Sequence, residues 1–340
     1  MGKSAKLRRI FFDDKRQFFP LRPFACGRKA VILQPLMWIL LAILSAVCLG
    51  FYDVSKKEAL RTGDVSTVLW LSVCFSAALL LPVLLVSRFC PDALSGTLLY
   101  VPPIDARAHL LIALKAAIVL SSWYFAYVAM KHLPITLVSP MNATRPMWTL
   151  MGAVAVFGET LNRWQWAGIA VALVSFLAFS LLERGKERKM KHSRYFYALM
   201  LAVLLGSASG LYDKYLMQQL DHNAVQVWYT LYQALLWTGV VLGRRLLQGT
   251  RIALPATRKA RLWIAGISVF LVLSDFVYLL ALSYPDSLIS VISTVRRSGV
   301  VIPFLYGSLV LHDSQAKAKA ACLTGLLLGM ALLLIGTLAG

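Results

Sequence analysis

The stretch SLISVISTVRRSGVVIPFLYGSLVL, residues 287–311, places two consecutive arginines, Arg296 and Arg297, near the middle of an apolar run. An arginine at the centre of a bilayer helix is disfavoured by about 2.5 to 3.5 kcal/mol, so such groups need a partner or a wet cavity. The earlier run 135–157 answers this stretch. Pro134, Ser139, Asn142 and Arg145 fall at the same relative places as Pro285, Ser290, Ser293 and Arg296. A second echo links Gly50-Phe51-Tyr52-Asp53 to Gly210-Leu211-Tyr212-Asp213. Two echoes in the same order indicate a duplicated unit with cationic groups at matching depth.

Hydrophobic residues make up 59% of the 340, and the mean hydropathy is +0.70, values of a polytopic membrane protein. The net charge of +20 sits in short segments between apolar runs. There it sets membrane orientation, which argues against nucleic acid as a partner. The five cysteines form no C-x-x-C pair and read as small buried hydrophobes.

Ten runs are long enough to cross about 30 Å of hydrocarbon. They are 32–52, 65–86, 109–130, 135–157 and 164–182, then 195–217, 224–242, 262–283, 287–311 and 318–338. The fold class is therefore all-α and polytopic, with residues 1–31 as a basic tail, 32–182 as the first five-helix repeat, 183–194 as a basic linker and 195–340 as the second repeat. An odd number of spans per half forces the two copies into opposite orientations, as in many secondary transporters with a substrate site near the midplane. The short joints after the third and eighth runs predict antiparallel hairpins.

With these features the chain resembles the drug/metabolite transporter superfamily, in its EamA-type ten-helix form. The carriers are the ten-span count, the fourth run ending in Gly158-Glu159, the following Gln165-Trp166-Ala167-Gly168, and the Arg-Arg pair; the second half replaces Gly-Glu with Leu311-His312-Asp313. The resemblance implies a carrier without ATPase machinery that moves small metabolites by alternating access. The family includes amino-acid exporters and carriers of anionic phosphorylated solutes, so it does not name the substrate.

The site residues follow from the charges. Thr294, Ser293 and Ser290 precede Arg297 by three, four and seven, continuing a polar helical face, whereas Arg296 points about 100° away. The repeat instead aligns Arg145 with Arg296, so both arginines stay candidates. Asn142 and Arg145 share a polar stripe on the fourth run. Asp275 reads as the only acid near the centre of a span, either a counter-ion or the carrier of a coupling proton. Three central cations against one acid favour a small anion bound bidentately by Arg145 and by Arg296 or Arg297. Lys115 reads as able to snorkel, and Asp53 and Asp213 as interfacial anchors, Asp53 pairing with Lys57. Tyr127 and Tyr278 match across the repeat and, with Trp123, Tyr124 and Trp148, form either an aromatic lining or ordinary packing. Gly325 and Gly329 permit close helix contact, inside the fold or in a homodimer.

No Walker loop, H-E-x-x-H or G-x-S-x-G occurs, and the five histidines are scattered, so neither an enzyme, a cofactor nor a metal site is expected. The expected partners are a small-molecule substrate, the lipid bilayer and a coupling proton. The expected location is a bacterial plasma (inner) membrane. Two alternatives remain: export of amino acids or other neutral or amphipathic solutes with the arginines held structurally, and a non-transporting scaffold or accessory subunit.

Orientation supplies a first prediction. The segments after odd-numbered runs, with Lys319 at the start of the last run, carry eighteen Lys or Arg, which marks that side as cytoplasmic, yet the tail adds nine more cations to the opposite side. Two resolutions follow: the cytoplasmic termini usual in the resembled family hold and the linker is exceptional, or the tail is absent and translation starts at Met37, directly before the first apolar run. In the second case the intact mass of natively expressed protein should begin at Met37, and a reporter fused after Gly340 should report its side. A full-length mass with an external C-terminus would contradict this account.

Overall fold

The computed structural model describes residues 29–60, 64–132, 145–182, 194–249, 257–302, 305–306 and 316–339. Most of the basic tail, Asn142 and nearly all of the basic linker lie outside the described residues. By contact the chain divides into residues 1–33 and residues 34–340. The helices are α1 Lys29–Leu60, α2 Val65–Phe89, the short α3 Pro91–Leu94, α4 Ala106–His132, α5 Arg145–Gly152, α6 Arg163–Leu182, α7 Arg194–Met217, α8 His222–Gln248, α9 Arg258–Ser283, α10 Ile289–Arg297 and α11 Ala316–Ala339. A π-helical turn, Ala153–Phe157, extends α5, and a 3-10 turn, Ser298–Val300, extends α10. The described residues are all-α. Among the described residues five segments, in α1, α2, α4, α7 and α9, are long and apolar enough to cross a membrane.

Local sequence explains where the helices begin. Asp64 accepts from the backbone N–H groups of Ser66 and Thr67, and Asp221 from those of Asn223 and Ala224, each cap contributing about 1 kcal/mol. At α6, Gln165 N donates to Asn162 Oδ1 (2.9 Å) while Asn162 N donates to Gln165 Oε1 (3.1 Å), a reciprocal capping box. Gly158 ends the α5 π turn at φ 64°, the left-handed region that favours glycine, and its N–H bonds to Val154 O. That turn directs Glu159 away from its own helix.

The core draws Trp38, Ile112, Ile169, Leu216, Leu279, Ile292 and Leu333 from seven helices into one buried cluster. Large apolar side chains such as Leu110, Val174 and Leu235 remain exposed, the expected face toward lipid tails. Between helices, where lipid gives no hydrophobic drive, serines supply the adhesion. Ser122 Oγ of α4 donates to Ala202 O of α7, Ser268 Oγ of α9 to Ser72 O of α2, and Ser45 of α1 and Ser274 of α9 bond to each other's carbonyls.

The α6 and α11 backbones nearly touch. A Cβ on Gly168 would lie 2.7 Å from Gly329 O and 2.8 Å from Leu333 N. Gly325 and Gly329 thus face α6 of the same chain, which is the intramolecular use of the small-residue pattern. Gly168→Val should overpack this contact and cost about 1–3 kcal/mol. A lowered Tm in detergent is the expected result; an unchanged Tm would show that the two helices separate freely.

Candidate functional site

Charged side chains inside the bundle form a connected chain. Arg296 of α10 pairs with Asp275 of α9, donates from Nε to Ser45 Oγ (3.1 Å) and from Nη2 to Ser274 Oγ (3.2 Å), and stacks its guanidinium 4.0 Å from the centre of the Tyr278 ring. Tyr278 OH donates to Asp213 Oδ2 at 3.2 Å. Asp213 in turn pairs with Lys115 of α4 at 2.9 Å, and the Lys115 ammonium sits 4.1 Å above the Tyr229 ring. Cation–π contacts of this kind gain strength when desolvated.

This arrangement corrects three readings from sequence. Lys115 does not snorkel: its side chain is 4% exposed and ion-paired. Helix α4 begins at Ala106, nine residues before it, so the ammonium lies deeper than the apolar run suggests. Asp213 is no interfacial anchor but a buried partner of Lys115 and Tyr278, so Asp275 is not the only acid inside the bundle. Asp53 pairs with Lys56 at 2.9 Å, one turn along at i+3, on a half-exposed face; the Lys57 side chain lies outside the described residues.

With Lys115 matched by Asp213 and Arg296 by Asp275, two central cations are left. Arg145 and Arg297 are half-buried and make no side-chain hydrogen bond or ion pair among the described residues, and Arg145 Nε is buried without a partner. Their charges act on each other, and Asp53 is the carboxylate whose charge reaches Arg297. The small residues of α7 make room for them. A Cβ on Gly206 would meet the Arg145 guanidinium carbon at 2.9 Å, and Ser207 Oγ donates to Arg145 O. The 206–210 stretch therefore seats an arginine within a continuous helix.

The remaining predicted residues are placed unequally. Tyr278 belongs to the charge chain, Ser293 is half-buried one turn before Arg297, and Tyr124 is exposed with its ring edge toward Phe125. Asn142 and the side chain of Tyr127 lie outside the described residues.

Glu159 was not singled out from sequence as a contact residue. It reaches the first turn of α10, accepting from Ile289 N (2.7 Å), Ser290 N (3.3 Å) and Ser290 Oγ. A carboxylate there satisfies orphan N–H groups and opposes the positive end of the helix dipole. Beside it the buried Lys214 donates to Ser287 O and Ser287 Oγ, both at 2.6 Å. The start of α10 is thus fixed from α5 and from α7.

Residues 36–181 match the EamA-like transporter family, which lies within the drug/metabolite transporter superfamily. That match to a family of transporters, together with the apolar helices, supports an integral membrane protein. No curated protein matches the sequence. A solved crystal structure at 14% identity covers 91% of this chain and 98% of its own length with a TM-score of 0.66, a likeness of fold alone.

Removing one member of the buried Lys115–Asp213 pair should be costly. Lys115→Met leaves Asp213 uncompensated and should destabilise by about 3–5 kcal/mol, whereas Lys115→Met with Asp213→Asn should recover most of the loss. Thermal unfolding of the three proteins checks this; equal stability of the single variant and the wild type would exclude the pairing.

Proposed function

We propose that the protein is a secondary-active transporter with ten spans in two inverted five-helix repeats, and that it moves a small anionic metabolite by alternating access. The observation that carries the anion reading is the pair Arg145 and Arg297, two guanidinium groups from the two repeats that make no ion pair among the described residues. An uncompensated positive pocket in a low-dielectric interior favours a carboxylate or phosphate, which matches guanidinium forks bidentately. The inverted arrangement is supported by Glu159: the end of α5 meets the start of α10, so the two arginine-bearing helices run in opposite directions. Arg296, already paired with Asp275, serves as the structural member of the Arg-Arg pair.

That pairing also favours a second reading, in which the solute is neutral or amphipathic and the arginines brace the helices. The two readings separate in a ligand-stability screen on purified protein, because only ligands of the native state raise its stability, by about 2.7 kcal/mol at a hundred times Kd. Small divalent anions should stabilise the wild type, and Arg145→Ala or Arg297→Ala should each weaken their binding by about 2 kcal/mol or more, roughly thirty-fold. Stabilisation by neutral solutes that survives both substitutions would replace the anion reading with the second one.

A further inference from the structure

The bundle holds two acid–base pairs, and they differ in what surrounds the carboxylate. Asp213 is closed: Lys115 holds one oxygen at 2.9 Å and Tyr278 OH the other at 3.2 Å, with the residue buried. Asp275 gives one oxygen to Arg296 and keeps its other oxygen unpaired among the described residues. It also lines a cavity of about 10 Å³ between α2, α8 and α9, about the room one water molecule needs.

Ser76, Gln226, Thr230 and Gln233 line the same cavity. Ser76 Oγ, Gln226 Oε1 and Gln233 Nε2 are buried and have no hydrogen-bond partner among the described residues, although all three side chains are more than nine-tenths buried. Gln226 is fixed in place, since its Nε2 donates to Val272 O at 2.7 Å. Two donors, the Ser76 hydroxyl and the Gln233 amide, therefore border the same space as two acceptors, Gln226 Oε1 and the second Asp275 oxygen. One water, which donates twice and accepts twice, complements that set.

We propose that this cavity is the proton-coupling site of the transporter, in which a water held by Ser76, Gln226 and Gln233 relays a proton from the aqueous phase to the unpaired oxygen of Asp275, taking up one proton as it gives one up. The step adds one proton to a carboxylate and forms a neutral carboxylic acid, so Asp275 no longer offsets Arg296. Arg296 keeps Ser45 Oγ, Ser274 Oγ and the Tyr278 ring, so it survives the loss of its counter-ion. Its charge then adds to those of Arg145 and Arg297. The titratable and charged groups whose fields reach Asp275 are Arg296 from α10, Tyr278 from its own helix, Asp213 from α7, Tyr229 from α8 and Tyr52 from α1. Asp213 is the other carboxylate of the group, and Lys115 already holds it.

The proton site rests on the cavity, and its coupling role rests on the anion reading, so the test has two arms. In the first, infrared difference spectra of the full chain in lipid nanodiscs are recorded on acidification. A carboxylic C=O band should appear in the wild type and in Asp213→Asn, and be absent in Asp275→Asn. Should Asp275→Asn not fold, Gln226→Leu and Ser76→Ala keep every charge and should shift the midpoint or frequency of the band. No titrating band, a band that persists in Asp275→Asn, or one unmoved by both cavity variants overturns the proposal. In the second arm sulfate, divalent throughout the range, is the anion probe. Its affinity should rise up to ten-fold per unit fall in pH around the band's midpoint, and this dependence should vanish in Asp275→Asn. A titrating band with no sulfate binding keeps the proton site and removes the anion reading. Sulfate binding that ignores pH while the band titrates overturns the coupling.

Discussion

A guanidinium group inside a bilayer must be answered by charge, hydrogen bonds or water, and the three central arginines are answered unequally. Arg296 is held by a carboxylate, two hydroxyls and an aromatic face. Arg145 and Arg297 have no such partners among the described residues. The inequality depends on helix placement: Ser45 comes from α1, Ser274 and Asp275 from α9, and all three must converge on α10. A close backbone approach permits this, since a Cβ on Gly50 would lie 2.7 Å from Gly299 O.

The same constraint orders the rest of the interior. Helix α7 presents Gly206 to Arg145, Gly210 beside Tyr278 and Asp213 to Lys115, positions spaced so that all three lie on one helical face. Asp213 thereby neutralises Lys115 and, through Tyr278, connects to the Arg296 pair. Glu159 and Lys214 fix the first turn of α10 and so the depth of its arginines.

Much of this was legible in the sequence, and what was not has a physical cause. The helices follow from apolar runs that can only be helical in lipid, where every backbone polar group must be bonded within the segment. The Arg145 echo of the Arg-Arg pair singles out α5 and α10 in the sequence. Sequence could not say which arginine of the pair was free, because polar face and repeat alignment disagreed and the answer lies on α1 and α9, far away in the chain. Lys115 and Asp213 were misplaced for a related reason. For Lys115, depth follows the helix, which overruns the apolar run at both ends, and its pairing with Asp213 spans 98 residues between two helices with no shared motif. Glu159 was visible as part of a Gly-Glu ending, but its partner Ser290 lies 131 residues further along the chain.

The central claim is that Arg145 and Arg297, one from each repeat, act as one anion site. A double-mutant cycle on anion affinity, using Arg145→Ala, Arg297→Ala and the double variant, measures this directly. If both grip the same anion, the double variant should lose little more affinity than either single one. Losses that simply add would mean that the two arginines act independently, and the account of a shared site would be wrong.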